Sequence, residues 1–389
     1  MTTPHTITIA VLGLGRMGEA MATRLAADGW DVVGWTRSGR TPGTFRTTGD
    51  PEDAVAKADV VLLALFDGAA CAQVLDRVRD ALRADAVVVN TSTVSPGEAS
   101  SLARRLGRAY VHAPVLGSVR AVGALRVLAA ADQGVLDRVR PVLERLGTVH
   151  RVDDSPTAAA LKLIANNSLA GAVLALRDSL RQADALGLPR DQVLDVLELG
   201  QLGGLVARKR PFLGDRATAA TAEFTIGALA KDMALLAAAS ETPLRSAAGL
   251  TGTGTGTPVA PDADIAVAAT APFTGDAVLE PLRAYMRGHA TGDPAHFRDA
   301  FLPTAHIEGI RDGAFVSWRL DEYCALFPGR PAPDEPARRR RVDALDVHGS
   351  VATATMTLRH GADTFTDVFL LVRADAGWRI ANKVYHRHS

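Results

Sequence analysis

ITIAVLGLGRMGEAMATRLAADGWDVVGWTR, residues Ile7 to Arg37, is the stretch from which the rest of the chain can be read. Ile7, Ile9, Val11 and Leu12 make a short apolar, β-rich run of the kind a parallel sheet buries on both faces. Gly13, Gly15 and Gly18 follow at G-x-G-x-x-G spacing, with Leu14, Arg16 and Met17 between them. Met17, Ala20, Met21, Leu25 and Ala26 recur at helical intervals up to a stop at Gly29, and Val32–Trp35 closes a strand–helix–strand unit. Gly13 allows the tight turn, Gly15 lets backbone approach a pyrophosphate, and Gly18 lets helix and strand sit close. The N–H groups at the start of that helix suit a diphosphate. The glycine spacing alone is weak, since a Gly-rich turn without ligand fits it too. The flanking strand, helix and second strand make a dinucleotide site the stronger reading.

The end of the second strand speaks to which dinucleotide. NAD-binding folds usually carry Asp or Glu there to hold the ribose 2′-OH. Here the chain reads Thr36, Arg37, Ser38, with Arg40 beyond. A carboxylate would repel a 2′-phosphate, whereas guanidinium and hydroxyl groups can hold one, so NADP(H) is expected ahead of NAD(H). A solvated loop arginine is the bland alternative.

At 389 residues the chain is long enough for two or three domains. Its 43 basic and 43 acidic side chains balance, which argues against a nucleic-acid binder or a polybasic membrane protein. No signal-peptide pattern and no uninterrupted apolar stretch of spanning length is apparent, so a cytoplasmic chain with no membrane partner is expected. Cys71 and Cys324 lie far apart with no Cys/His spacing, so neither a disulfide framework nor a metal site is indicated.

Further along, Asp53–Ala58 and Ala69–Leu82 read as helices, and Val60–Leu65 and Ala86–Val89 as buried strands. This alternation predicts a doubly wound parallel sheet. Asn90, Thr91, Ser92 and Thr93 follow a strand, where the ligand crevice of such sheets lies. Thr93 suits the nicotinamide end, or an N-cap for the helix starting near Pro96. Val149–Val152 reads as the last strand of this domain. From Thr157 long helices take over, the first of them apolar enough to be largely buried and ending near Gly187.

Several spaced motifs in one order, spanning roughly Ile7 to Ser240, resemble the β-hydroxyacid dehydrogenase family, which contains 3-hydroxyisobutyrate dehydrogenase and has imine reductases as close relatives. They are G13-L-G-R-M-G18, S92-T-V-S-P96, H112-A-P-V-L-G117, K162-L-I-A-N-N167 and K231-D232. The resemblance implies that Lys162 is the catalytic residue with Asn166 beside it, that Lys231, Thr93 and Leu65 contact cofactor, and that Ser92, Gly117 and Ser118 border the substrate. Lys162 and Asn166 stand four apart and share a helix face. An ammonium among apolar neighbours has a lowered pKa and can exchange a proton with a substrate oxygen. Family imine reductases generally replace this lysine, so its retention favours alcohol or hydroxyacid chemistry. Two departures stand out. Leu116 replaces a serine that helps bind a substrate carboxylate in the family, which points to a more apolar substrate unless Ser118 or Arg120 compensates. The helical domain also gives way early to Thr251–Pro258, a Thr/Gly linker composition, so the final helices covering the pocket are expected to be missing.

Beyond it, helices at 277–289 and 294–301 and then a run of strand-like segments predict an α+β cone. Y285-M-R-G-H-A-T-G-D293, F365-T-D-V-F-L-L371 and W378-R-I-A-N-K-V-Y-H386 resemble the putative lumazine-binding group of the NTF2-like superfamily. Alternation puts Trp378, Ile380, Asn382, Val384 and His386 on one strand face, so Asn382 and His386 could project into the cone. Asp367 among aromatics is either a raised-pKa base or a surface carboxylate paired with a cation. Arg338–Arg341 reads as a solvated strand entry.

The expected architecture is therefore an α/β Rossmann domain (1–155), a shortened all-α domain (156–246), a linker (247–270) and an NTF2-like α+β domain (271–389). The expected activity is NADP-dependent hydride transfer to or from a small-molecule carbonyl or alcohol, in a homodimer. Imine reduction, a cofactor-binding module without turnover, and a second activity in the C-terminal domain are the alternatives.

Overall fold

The computed structural model describes residues 7–39, 43–213, 222–240, 260–270, 276–311, 313–375 and 377–388. The chain divides into two compact units, Met1–Leu250 with Ala260–Thr270, and Thr251–Val259 with Ala271–Ser389. The Thr/Gly stretch read as linker lies outside the described residues.

In the first unit, β1 (Thr8–Leu12), α1 (Arg16–Ala27), β2 (Asp31–Trp35), β3 (Arg46–Thr48), α2 (Pro51–Val55), β4 (Val60–Leu63), α3 (Gly68–Val78), β5 (Val87–Asn90), α4 (Pro96–Leu106) and β6 (Tyr110–His112) form the doubly wound half. Its six strands run in the order β3-β2-β1-β4-β5-β6, and every pairing is parallel. From Ile9 to Leu12 the first apolar run is fully buried because helices cover both faces. Ile9 and Val11 enter one core cluster, while Ala10 and Leu12 enter the other. Connections from β1 and β4 leave toward opposite faces, so a crevice opens beyond their carboxyl ends.

The chain then makes a separate three-stranded sheet from β7 (Val115–Leu116), β8 (Leu125–Ala129) and β9 (Gly147–Arg151), with α5 (Gln133–Leu146) between the last two. The strand expected near Val149–Val152 thus pairs with β8 in this small sheet and not in the main one.

α6 (Ser155–Ala185) is capped by Asp154, whose carboxylate accepts from the Thr157 N–H at 2.7 Å. It is less buried than its composition suggests: Leu161 and Ile164 are 46% and 55% exposed. By length and composition it would also suffice to cross a membrane, although Lys162 and Asn166–Asn167 interrupt its apolar run. α7 (Arg190–Leu199), α8 (Gly203–Leu213), α9 (Ile226–Ser240) and α10 (Ile265–Thr270) complete this unit.

α10 corrects the linker reading, because Ala260–Thr270 belongs to the first unit and its Ile265, Ala266, Ala268 and Ala269 are buried. The segment docks through backbone bonds from Ile226 N–H to Ala263 O, Gly227 N–H to Pro261 O and Ile265 N–H to Phe224 O. A buried ion cluster fastens it. Lys209 Nζ lies 2.9 Å from Asp264 Oδ2 and 3.6 Å from Glu223 Oε2, and Asp264 also accepts from the N–H groups of Glu223 and Ala266. Alanine-rich sequence between prolines offers little periodicity, so only tertiary packing makes this short helix.

In the second unit, α11 (Asp276–Thr291) and α12 (Ala295–Ala300) precede β10 (Phe301–Arg311), β11 (Ala314–Arg319), α13 (Leu320–Cys324), β12 (Arg339–His348), β13 (Val351–His360), β14 (Asp363–Ala374) and β15 (Gly377–His388). The sheet order is β11-β10-β15-β14-β13-β12, antiparallel except where β10 meets β15. Tyr285 of α11 packs edge-on against Phe301 and Phe369 of the sheet. A register shift opposite Leu370 and Leu371 overturns the alternation expected along β15. Trp378 and Ile380 are buried, but beyond the bulge Lys383 is the buried residue while Val384 and His386 face solvent. Asn382 instead donates to Glu308 Oε2 at 3.2 Å. Asp367 is neither a surface carboxylate nor a lone base, since Lys383 Nζ stands 2.8 Å away and Tyr285 donates to it at 2.6 Å. Arg340 is also not simply solvated, pairing twice with Glu335 at 2.6 and 2.8 Å.

Removing one partner of a buried ion cluster strands the others in low dielectric. Lys209→Met is accordingly expected to lower the stability of the first unit by about 3 kcal/mol, whereas Arg210→Ala, whose ion pairs are exposed, should cost less than about 1 kcal/mol. Urea unfolding of both variants against the parent measures the difference.

Candidate active site

The G-x-G-x-x-G loop turns between β1 and α1 because of two close approaches. A Cβ on Gly13, whose φ is +105°, would strike the Ala64 carbonyl, and one on Gly18 would strike the Gly13 carbonyl. Gly15 differs: nothing lies within 4 Å of where its Cβ would stand. It serves as the N-cap of α1 without any side-chain cap, so the first turn of that helix keeps its N–H groups for something else.

Gly15, Arg16, Met17 and Gly18 form one end of a cleft of about 830 Å³ within the first unit. Leu65 and Phe66 after β4, and Ser92 and Thr93 after β5, continue it, and Leu116, Gly117 and Ser118 border it further on. Lys162, Asn166, Lys231 and Asp232 come from the helices, with Leu205, Phe224 and Ile265. Twelve of the expected site residues therefore share one wall system: Gly15, Arg16, Met17, Gly18, Leu65, Ser92, Thr93, Gly117, Ser118, Lys162, Asn166 and Lys231.

Gly13 and Leu14 stand behind the loop and not on the cleft. Leu14 is buried with its side chain near Gly34. Thr36, Arg37 and Ser38 follow β2 outside the cleft wall, Arg37 and Ser38 exposed and the Thr36 and Ser38 hydroxyls 3.5 Å apart. Arg40 lies outside the described residues. Ser95, not Thr93, caps α4, in a capping box with Glu98.

The helices present a directed chain of groups. Lys162 Nζ donates to Asn166 Oδ1 at 3.0 Å, and Asn166 Nδ2 donates to Asp232 Oδ2 at 2.6 Å. Lys231 Nζ stands 2.9 Å from Asp232 Oδ1 and donates to the carbonyl oxygens of Phe66 and Thr93, each at 2.9 Å. Burial pushes the Lys162 ammonium down to about 8, with Asp232 pulling it up and Lys231 pushing it further down. Lys162 is thus poised to hold or release a proton near neutral pH.

Behind the loop after β5 lies a second polar layer. Ser92 Oγ accepts from the Leu65 N–H at 2.9 Å, and its own N–H donates to Asn90 Oδ1. Asn90 Nδ2 donates to the Tyr110 hydroxyl, which meets His112 Nδ1 at 3.1 Å. Burial pushes His112 down to about 4 and Cys71 up to about 11, so this layer is neutral scaffolding. Arg120, considered as a replacement for the missing serine, pairs with Glu223 at 2.8 Å.

Sequence reasoning quoted Asp232 in the K231-D232 motif but gave it no role, because two adjacent charges on a helix give no sign that one is buried. It also missed Ile265, hidden in a stretch read as linker, and Phe66.

Residues 8–155 match the family described as NAD binding domain of 6-phosphogluconate dehydrogenase, and residues 274–386 match the one described as putative lumazine-binding. The chain is 31% identical over 201 residues to a probable 3-hydroxyisobutyrate dehydrogenase of Mycobacterium bovis, covering 49% of this chain and 68% of that protein. A 2-(hydroxymethyl)glutarate dehydrogenase of Eubacterium barkeri is 29% identical, with 47% and 64% covered. Among solved structures, the 3-hydroxyisobutyrate dehydrogenase of Mycobacterium tuberculosis with L-serine superposes with a TM-score of 0.58 at 23% identity, over 68% of this chain and 98% of that one. By its glycine loop, its helical wall and these relatives, the chain belongs to the 3-hydroxyisobutyrate dehydrogenase family, with a second unit joined to it that matches the putative lumazine-binding model.

Proposed function

We propose that this protein is an NADP(H)-dependent oxidoreductase that interconverts an alcohol and a carbonyl compound, with Lys162 moving the proton. The observation that carries this reading is the Lys162–Asn166–Asp232 chain on the cleft that also holds the uncapped start of α1. The open space beside Gly15 and the free first turn of α1 fit a diphosphate, and Arg16 adds a positive charge there. Arg37, Thr36 and Ser38 suit a 2′-phosphate better than a 2′-hydroxyl.

When bound, the nicotinamide supplies or accepts the hydride. Lys162, charged below about pH 8, gives a proton to the carbonyl oxygen in reduction; neutral, it takes the alcohol proton in oxidation. Asn166 holds one ammonium N–H and so fixes where the others can reach. Leu116, Leu205, Phe224 and Ile265 give part of the cleft an apolar lining, which favours a substrate with a compact apolar substituent. The relatives' named substrates, 3-hydroxyisobutyrate and 2-(hydroxymethyl)glutarate, set the class of compound from which a screen starts.

Two predictions follow from these groups. Lys162→Ala is expected to lower turnover by about 10²-fold or more while leaving NADPH affinity, read by calorimetry, unchanged; in the parent, reduction should weaken and oxidation strengthen as pH rises through about 8. Undiminished turnover would remove Lys162 from the chemistry. Arg37→Glu should weaken NADPH binding by about tenfold or more and leave NADH binding nearly untouched, and equal affinities in the parent would count against the 2′-phosphate assignment.

A further inference from the structure

Asp232 is 2% exposed, and both of its oxygens are engaged by side chains from different places. Oδ2 accepts from Asn166 on α6, and Oδ1 faces the Lys231 ammonium. Lys231 in turn bonds the carbonyl oxygens of Phe66 and Thr93, which stand in the two loops beyond β4 and β5. Two of its N–H donors thus go to loop carbonyls, and the ammonium stands in ion-pair contact with Asp232. That makes Lys231 a tie between α9 and the crevice loops.

The direction of the hydrogen bonds carries the next step. A primary amide can present either its oxygen or its NH₂ to a neighbour, and only its partners decide which. An ionised carboxylate only accepts, so Asp232 compels the Asn166 amide to turn its NH₂ inward. The amide oxygen is then left for Lys162, at 3.0 Å. Without the carboxylate, the amide loses the partner that enforces this orientation, and an NH₂ turned toward Lys162 would repel the ammonium it now holds. Donation thus runs from Lys162 through Asn166 to Asp232, and Lys231, which donates to the crevice-loop carbonyls, meets the same carboxylate from the other side.

We infer that Asp232 is a positioning residue: anchored by Lys231 to the loops after β4 and β5, its carboxylate sets the orientation of Asn166 and thereby the place of the Lys162 ammonium. This rests on the proposed oxidoreductase reading of the cleft. The charged groups acting on Lys162 are Asp232 and Lys231, both on α9. A purely structural ion pair would lock α9 in place without governing the state of a lysine on α6.

The test uses the full-length protein and its Asp232→Asn variant, close in size but uncharged. Lysines are pulse-labelled with acetic anhydride across neutral to alkaline pH and quantified one by one by peptide mass spectrometry, with exposed Lys57 as internal reference. The expected result is a Lys162 labelling midpoint near 8 in the parent that falls by about one pH unit in the variant, with Lys57 unmoved. An unchanged Lys162 midpoint overturns the inference. Should Asp232→Asn fail to fold, Asn166→Leu cuts the same chain while keeping the Asp232–Lys231 pair, and again an unmoved Lys162 midpoint overturns it. A second readout takes 3-hydroxyisobutyrate as probe substrate, where kcat should fall by about tenfold or more at nearly constant KM and NADPH affinity. A Lys162 shift without turnover of any probe upholds the positioning chain and sinks the oxidoreductase reading. Turnover with no shift does the opposite.

Discussion

The N-terminal unit depends on how closely α1 can approach the β1–β4 seam. At Gly13 and Gly18 backbone meets backbone so tightly that a single methyl group would strike a carbonyl oxygen. That approach brings the uncapped first turn of α1 over the end of the sheet, and the space beside Gly15 is the void it creates. The loops after β4 and β5 then lie within reach of a helix from elsewhere in the unit, and Lys231 joins them. Fold and site are in this sense one construction, because the spacing that packs the sheet also spaces the cleft.

How much could be read from sequence follows from how local each cause is. Gly13, Gly15 and Gly18 were legible because strand, turn and helix chemistry meet within a dozen residues, and the parallel order followed from repeated alternation. Lys162 and Asn166 were legible as a pair because helical spacing alone brings them together. Asp232 lies 66 positions from Asn166, and nothing local marks it as buried. α10 was missed for a related reason: its helix exists through Asp264 and Lys209, 55 residues apart, and not through its own periodicity. In β15 the strand itself was visible, but strict alternation failed because one irregular step opposite Leu370 and Leu371 exchanges the faces beyond it. Asn382 and His386 moved outward and Lys383 inward, a reversal that no count of alternating residues reveals.

Two buried lysines and a half-buried one, Lys162, show why environment, not burial, decides what such a group can do. Lys209 faces two carboxylates, Asp264 and Glu223, and joins segments that local sequence does not hold together. Lys383, in the second unit, donates to the Tyr285 hydroxyl at 2.6 Å and pairs with Asp367, while the rings of Tyr285, Tyr323 and Tyr385 surround it. Burial lowers its proton affinity and Asp367 opposes that, so its charge remains matched. Lys162 receives only a neutral amide, with the carboxylate one residue removed.

That difference separates a fastener from a proton carrier. A lysine in direct contact with a carboxylate loses its partner's compensation as soon as it gives up a proton, and the stranded anion resists the change. A lysine held through an amide keeps the orienting bond in either state, since the amide oxygen remains as acceptor while the distant carboxylate softens the swing in charge. Asn166 is therefore more than a neighbour on the same helix face. By standing between Lys162 and Asp232 it lets the protein place an ammonium firmly without fixing its charge, and that is the property a group exchanging protons with substrate requires.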